Sequence, residues 1–105
     1  MKQVFIDKFV ILENAFKEFS ERMNYNRSFI KNITGFIQDK VYKSKDDVGN
    51  IIIITMAEWK DEESLLAAKA LVQEEYKKIN FNPGEFTAKL NIKMERGSFN
   101  EIWSY

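Results

Sequence analysis

The sequence predicts an α+β fold: a four-stranded antiparallel sheet carrying two helices on one face, in the order β-α-β-β-α-β. Three observations predict it. The run "NIIIITMAEW", Asn50 to Trp59, is dominated by β-branched residues and follows turn chemistry. Two longer stretches, Leu12 to Ile33 and Glu62 to Ile79, carry apolar residues at helical spacing. The segment "SKDDVGN", residues 44–50, supplies a turn between two strand-like runs and makes them a hairpin.

The first strand is Gln3 to Ile11, "QVFIDKFVI", rich in β-branched and aromatic residues. The first helix follows. Leu12, Ala15, Phe16, Phe19 and Met23 form one apolar stripe, and Glu18 with Arg22 is a favourable pair one turn apart. The helix is expected to break or loosen at "NYN", Asn24 to Asn26, then to run through Phe29, Ile30 and Ile33 to a stop at Gly35. Phe36 to Lys43 is the second strand and Ile51 to Trp59 the third. Asp61 is a good N-cap for the second helix, Glu62 and Glu63 suit its first turn, and Lys77 and Lys78 its last. Its apolar stripe is Leu65, Ala68, Val72, Tyr76 and Ile79, and "NPG" (82–84) ends it. A final strand is expected over Phe86 to Arg96, with Phe86, Ala88, Leu90, Ile92 and Met94 facing inward.

Right-handed crossovers put both helices on one face, a ferredoxin-like arrangement in which the first and third strands are central. The third strand is apolar toward both faces. Ile51, Ile53, Ala57 and Trp59 point one way, and Ile52, Ile54 and Met56 the other. One layer of helices covers one face only. Leaving several isoleucines wet is costly, at roughly 1.5–3 kcal/mol each. A homodimer packing sheet face on sheet face is therefore expected. The alternative is that the C-terminal tail, with Phe99, Trp103 and Tyr105, folds back over that face, and exchange of tails between subunits would combine the two.

Size and charge narrow the rest. The 105 residues suit one domain over 1–105, with a core of about 4–96 and a tail, 97–105, that could pack on a partner subunit. Basic and acidic residues number 16 each, so the chain lacks the basic surplus of a nucleic-acid binder or a polybasic membrane patch. It has no Cys and no His, which removes the usual donors for zinc and haem and the usual neutral-pH base. No cofactor and no metal are expected. "MKQVFIDKF" has no secretory apolar core, and no run reaches the ~18 apolar residues of a membrane span, so the protein is expected to be cytoplasmic. "DKVYKSKDD" is not a calcium loop, and "MERGSF" is not a nucleotide motif.

Against this background the element order, the "GF" opening the second strand (Gly35, Phe36), the strand ending Thr55, Ala57, Trp59, and the acidic run "WKDEESLLAAK" resemble the antibiotic biosynthesis monooxygenase superfamily. The resemblance extends from about Val4 to Arg96. It implies a ferredoxin-like subunit, dimerisation through the sheets into an α/β-barrel, and a pocket between helices and sheet. Its members include cofactor-independent quinol or anthrone oxygenases, haem-degrading enzymes and isomerases. The haem-degrading pattern would require Trp, His and Asn nearest to Ala68, Lys78 and Asp7, and the sequence departs at all three. Trp59 matches a Trp of that branch at the end of the third strand, which is not the catalytic one. The oxygenase branch implies oxidation of an aromatic or apolar small molecule by dioxygen in a dry pocket, with orienting hydrogen bonds and a base. The alternative is a non-catalytic module that holds an apolar ligand in the same cavity.

Candidate site residues follow from chemistry, each beside a structural role. Trp59 could offer its indole N–H to a substrate oxygen, or be a core or interface aromatic. Asn26, at the expected helix break, could face the cavity or bond nearby backbone. Tyr76 lies on the buried stripe of the second helix, and its hydroxyl needs a partner: water, protein or ligand. Asp7, on a central strand, could act as a base with a raised pKa or pair with Lys8, Lys40 or Lys93. Arg22 either lines the pocket or stays solvated beside Glu18. Met23, Phe29, Met56 and Phe81 either line the cavity or belong to the ordinary core.

Overall fold

The computed structural model describes residues 1–102. Strand β1 spans Gln3–Ile11, helix α1 Phe16–Ile30, β2 Phe36–Lys45, β3 Ile51–Trp59, α2 Glu62–Lys78, α3 Pro83–Lys89 and β4 Lys93–Asn100. The sheet order is β2-β3-β1-β4, and every neighbouring pair is antiparallel. The first and third strands are central, as expected. Asp46 closes the β2–β3 turn by accepting the backbone N–H groups of Val48 and Asn50, and Gly49 takes the positive φ of 87° that the turn requires.

Register fixes the faces. Phe5, Asp7, Phe9 and Ile11 of β1 stand opposite Ala57, Thr55, Ile53 and Ile51 of β3, all pointing toward the helices. Ile11, Ile51 and Ile53 pack there with Ala15, Phe19 and Ile92 in one core cluster. Ile11 and Ile53 are 0% and 1% exposed, so each contributes roughly 1.5–3 kcal/mol by burial. A second cluster joins Trp59 to Leu65 and Ala68 of α2, with Phe5 and Phe36 against it.

Three expectations are corrected. The helix α1 is continuous through Asn24, Tyr25 and Asn26: the polar residues occupy its outer and lateral faces and leave its hydrogen bonds intact. The expected strand over 86–96 is two elements. Asn82 caps α3 by accepting from Glu85 N–H, Pro83 occupies the first turn, and Phe86 and Leu90, one turn apart, pack on the first core cluster. Strand β4 begins only at Lys93 and includes residues 97–100 of the expected tail, with Phe99 opposite Val4 and Asn100 opposite Gln3. The expected contacts of Trp103 and Tyr105 lie outside the described residues.

The other face of the sheet carries Val4, Ile6, Lys8 and Val10 beside Ile52, Ile54 and Met56, with Tyr42 and Phe99 on the outer strands. The three helices pack on the opposite side. Tyr42 and Phe99 are 53% and 52% exposed.

Candidate functional site

The polar groups of the helix-facing side gather where α1 and α2 approach β1 and β4. Asn26 of α1 donates from Nδ2 to the Tyr76 hydroxyl of α2 at 3.0 Å. Tyr76 accepts there, and no protein acceptor takes its own proton among the described residues. Asp7 is buried and stands opposite Arg96 of β4. Arg96 donates to it twice, from Nε at 2.7 Å and from Nη2 at 3.0 Å. The hydrogen bonds to Asp7 push the Arg96 guanidinium above its ordinary range, so it stays charged. Burial pushes the Tyr76 phenol up, while Arg96, the Asn26 hydrogen bond and Arg22 pull against it.

Aromatic rings wall this group. Phe81 stands edge-on to Tyr76 at 5.1 Å, and Phe86 lies 5.4 Å beyond Phe81. The Arg22 guanidinium lies over Phe81 at 4.0 Å and near Tyr25 at 5.3 Å. Beside them opens a cleft of about 300 Å³ lined by Glu18, Glu21, Arg22, Tyr25, Phe81 and Phe86. Outside the cleft lining, the exposed Lys69 and Arg96 both approach the Phe5 ring, at 4.8 and 5.0 Å. Tyr25 donates to Glu75, and that bond raises its pKa.

Asn26, Tyr76 and Asp7 therefore belong to one neighbourhood, with Arg22 and Phe81 on its rim. The others do not join it. Trp59 is 2% exposed inside the second core cluster, edge-on to Phe36 at 5.5 Å, and not at a pocket mouth. Met56 points to the face away from the helices, since it alternates with Thr55 and Ala57. Met23 packs on the first core cluster, and Phe29 is half-buried outside the cleft lining. Glu18 pairs with Lys89 at 3.7 Å instead of Arg22, which turns to the rings. Asp7 pairs with Arg96 and not with Lys8, Lys40 or Lys93. Arg96, Tyr25 and Phe86 are site residues that the sequence did not single out; for Arg96 the only signal was a basic residue in the chain's last apolar-alternating stretch, which Lys89 and Lys93 share.

Among the described residues no group of three or more acidic side chains gathers to hold a metal ion, and no helix is long and apolar enough to cross a membrane.

No protein-family model matches the chain, and no curated protein matches it. Solved structures do. The chain is similar to SnoaB, a cofactor-independent oxygenase from Streptomyces nogalater, with 19% identity, a TM-score of 0.68, and coverage of 98% of this chain and 95% of that one. A dimeric ferredoxin-like protein from an uncultured marine organism superposes with a TM-score of 0.74 at 12% identity, covering 99% and 98%. A protein from Nitrosomonas europaea assigned to the antibiotic biosynthesis monooxygenases gives 0.71 at 12% identity, covering 97% and 91%. The ferredoxin-like α+β fold is thus shared with proteins of the antibiotic biosynthesis monooxygenase type.

Proposed function

We propose, from a fold shared with antibiotic biosynthesis monooxygenases, that this chain belongs to that superfamily and oxidises a quinol- or anthrone-like aromatic molecule with dioxygen and no cofactor. The observation that carries the reading is the hydrogen bond from Asn26 to the Tyr76 hydroxyl. Because the phenol oxygen accepts from Asn26, its proton is directed elsewhere and can be given to a ligand oxygen. Arg96 and Arg22 add positive charge on the same hydroxyl. A donor held ready in a half-buried setting suits a substrate oxygen on which negative charge develops. In this chemistry an anthrone-like substrate gives a proton to solvent, and its anion supplies the electrons that reduce dioxygen: one oxygen atom replaces the two hydrogens of the ring CH2 as a new carbonyl, and the other leaves with those hydrogens as water.

The test is oxygen uptake by the pure protein with a panel of hydroquinones and anthrones. Turnover above the protein-free rate, lost in Tyr76→Phe, supports the reading. No turnover with any member of the panel rejects it.

One observation favours a second reading, a non-catalytic binding module. Both oxygens of Asp7, the buried carboxylate nearest Tyr76, are occupied by Arg96, so this group is not free to serve as the base. Ligand binding without oxygen uptake would support that reading.

The working unit in either case is a homodimer. Val4, Ile6, Ile52, Ile54 and Met56 form an apolar strip that the helices leave bare. A second sheet of the same kind covers it most economically. One solved structure of this fold is described as dimeric.

A further inference from the structure

We propose that the cleft beside Tyr76 binds a small organic cation of the quaternary-ammonium kind, whose seat Arg22 occupies in the free chain. The cleft, of about 300 Å³, is lined by the rings of Tyr25, Phe81 and Phe86 and by Glu18, Glu21 and Arg22. Binding there is independent of the oxidation proposed at Tyr76.

The rings come from three parts of the chain and are held in place. Tyr25 lies on α1 and Phe86 on α3. Phe81 lies in the link between α2 and α3, where Asn80 takes a φ of 56° and the Phe81 N–H donates to the Tyr76 carbonyl at 2.8 Å. The Phe81 ring is braced by Tyr76 at 5.1 Å and by Phe86 at 5.4 Å. Tyr25 donates its hydroxyl to Glu75, and a phenol bonded to a carboxylate has a ring richer in electrons. Fixed, electron-rich ring faces attract a cation.

Arg22 shows which charge these rings take. Glu18 stands one turn before it on α1, at the spacing of a helix ion pair. Arg22 nevertheless makes no ion pair among the described residues. Its guanidinium lies 4.0 Å from the centre of the Phe81 ring and 5.3 Å from that of Tyr25. Glu18 pairs with Lys89 at 3.7 Å. Glu18 also gives Arg22 a second seat one turn away, so Arg22 can leave the rings without being stranded. The carboxylates of Glu18, Glu21 and Glu75 stand about the rings against Arg22 and Lys89, and a further cation completes the balance. A methylated ammonium lays its charge on the ring faces and its methyl groups on the apolar walls. A neutral molecule of the same shape gains only the walls.

The experiment titrates the intact protein with choline and with 3,3-dimethylbutan-1-ol, its uncharged counterpart of the same shape, and follows amide NMR shifts. Choline is expected to bind about tenfold more tightly or better, and less tightly as salt is raised. Arg22→Ala empties the seat and is expected to raise the affinity for choline several-fold. Phe81→Leu is expected to remove the preference for choline. Circular dichroism checks that both variants fold, and where Phe81→Leu does not, the comparison of Arg22→Ala with the native chain decides by itself. Equal affinities, a preference for the alcohol, binding of neither compound, or an Arg22→Ala variant that binds choline no better than the native chain overturns the inference.

Discussion

Asn26 and Tyr76, separated by 50 positions, are joined by a 3.0 Å hydrogen bond that ties the middle of α1 to the last turns of α2. Two half-buried polar groups thereby satisfy each other in part, and the phenol proton is left to a third partner. That partner is the ligand in the reading proposed here.

Removing the phenol hydroxyl tests this directly. Tyr76→Phe keeps the ring against Phe81 and deletes only the donor. If Tyr76 stabilises a developing oxyanion, turnover is expected to fall by about 10²-fold, the scale of losing one such donor. Asn26→Leu is expected to have a smaller effect, because it only releases the orientation of the hydroxyl. Steady-state oxygen uptake on the two variants measures both.

The ionisation of Tyr76 offers a check that needs no substrate. Burial holds its pKa above the ordinary value of about 10, against the pull of Arg96. The raised value in the folded state means that Tyr76 contributes stability below the unfolded value, and that this is lost as pH rises through the folded one. Arg96→Met removes the nearby cation and leaves Asp7 unpaired, so Tyr76 is expected to titrate still higher. The difference in phenolate absorbance between each protein and its Tyr76→Phe counterpart follows the shift.

The bare face of the sheet gives a prediction about assembly. Ile54 stands opposite Lys8 on β1 and Tyr42 on β2, near the centre of that face. Ile54→Lys would place a second ammonium directly beside that of Lys8 inside a sheet-to-sheet interface, where two unpaired like charges are poorly tolerated. Sedimentation is expected to give a dimer for the native chain and a monomer for the variant. A native chain that remains monomeric at high concentration rejects the proposed assembly.

Much of this fold was legible because its signals are local. The β-branched run of Ile51 to Ile54 and the helical stripes over 12–33 and 62–79 needed no distant partner. The stretch after residue 82 failed for a physical reason. Phe86, Leu90, Ile92 and Met94 fit a strand alternation and a helix followed by a strand equally well. The capping signature of Asn82, Pro83 and Glu85 marked a helix start, yet "NPG" reads as easily as the end of the preceding helix. The true β4, "KMERGSFN", is an edge strand and carries charges and a glycine where a central strand would carry β-branched residues. Arg96 closed the expected strand, but its place opposite Asp7 depends on a register between strands far apart in the chain, which the stretch itself does not encode, so the most informative ion pair of the site stayed hidden. Asn26 and Tyr76 were both suspected, but their meeting depends on how two helices pack, which neither stripe encodes alone.

The cap of α2 ties stability to pH. Ser64 N–H donates to Asp61 at 2.7 Å, and hydrogen bonding from Ser64 holds the Asp61 carboxyl below its usual range. A depressed folded value means stability that is present above the unfolded carboxylate value of about 3.9 and is lost as pH falls through the folded one. Asp61→Ala is expected to lower the thermal midpoint at neutral pH. Asp61→Asn, which can still accept the N–H, is expected to lose less, and its deficit relative to the native chain should vanish in acid. Thermal melts over an acid-to-neutral series provide the comparison.

Gly35 is the position where the backbone leaves least room for change. Its φ is 92°, and a Cβ there would lie 2.4 Å from Ser64 Oγ and 2.5 Å from Ser64 Cβ. Its carbonyl also accepts from Lys60 N–H at 2.8 Å, so the turn after α1 is fastened to the entry of α2. Gly35→Ala therefore meets two costs at once: a left-handed conformation that alanine disfavours, and a contact with the first turn of α2. The conformational part alone is about 1–3 kcal/mol. Urea unfolding is expected to report at least that loss. Adding Ser64→Ala removes the hydroxyl but keeps the Cβ in the way, so the double variant should recover only part of it. Full recovery would mean that the hydroxyl contact, and not the backbone, sets the requirement for glycine.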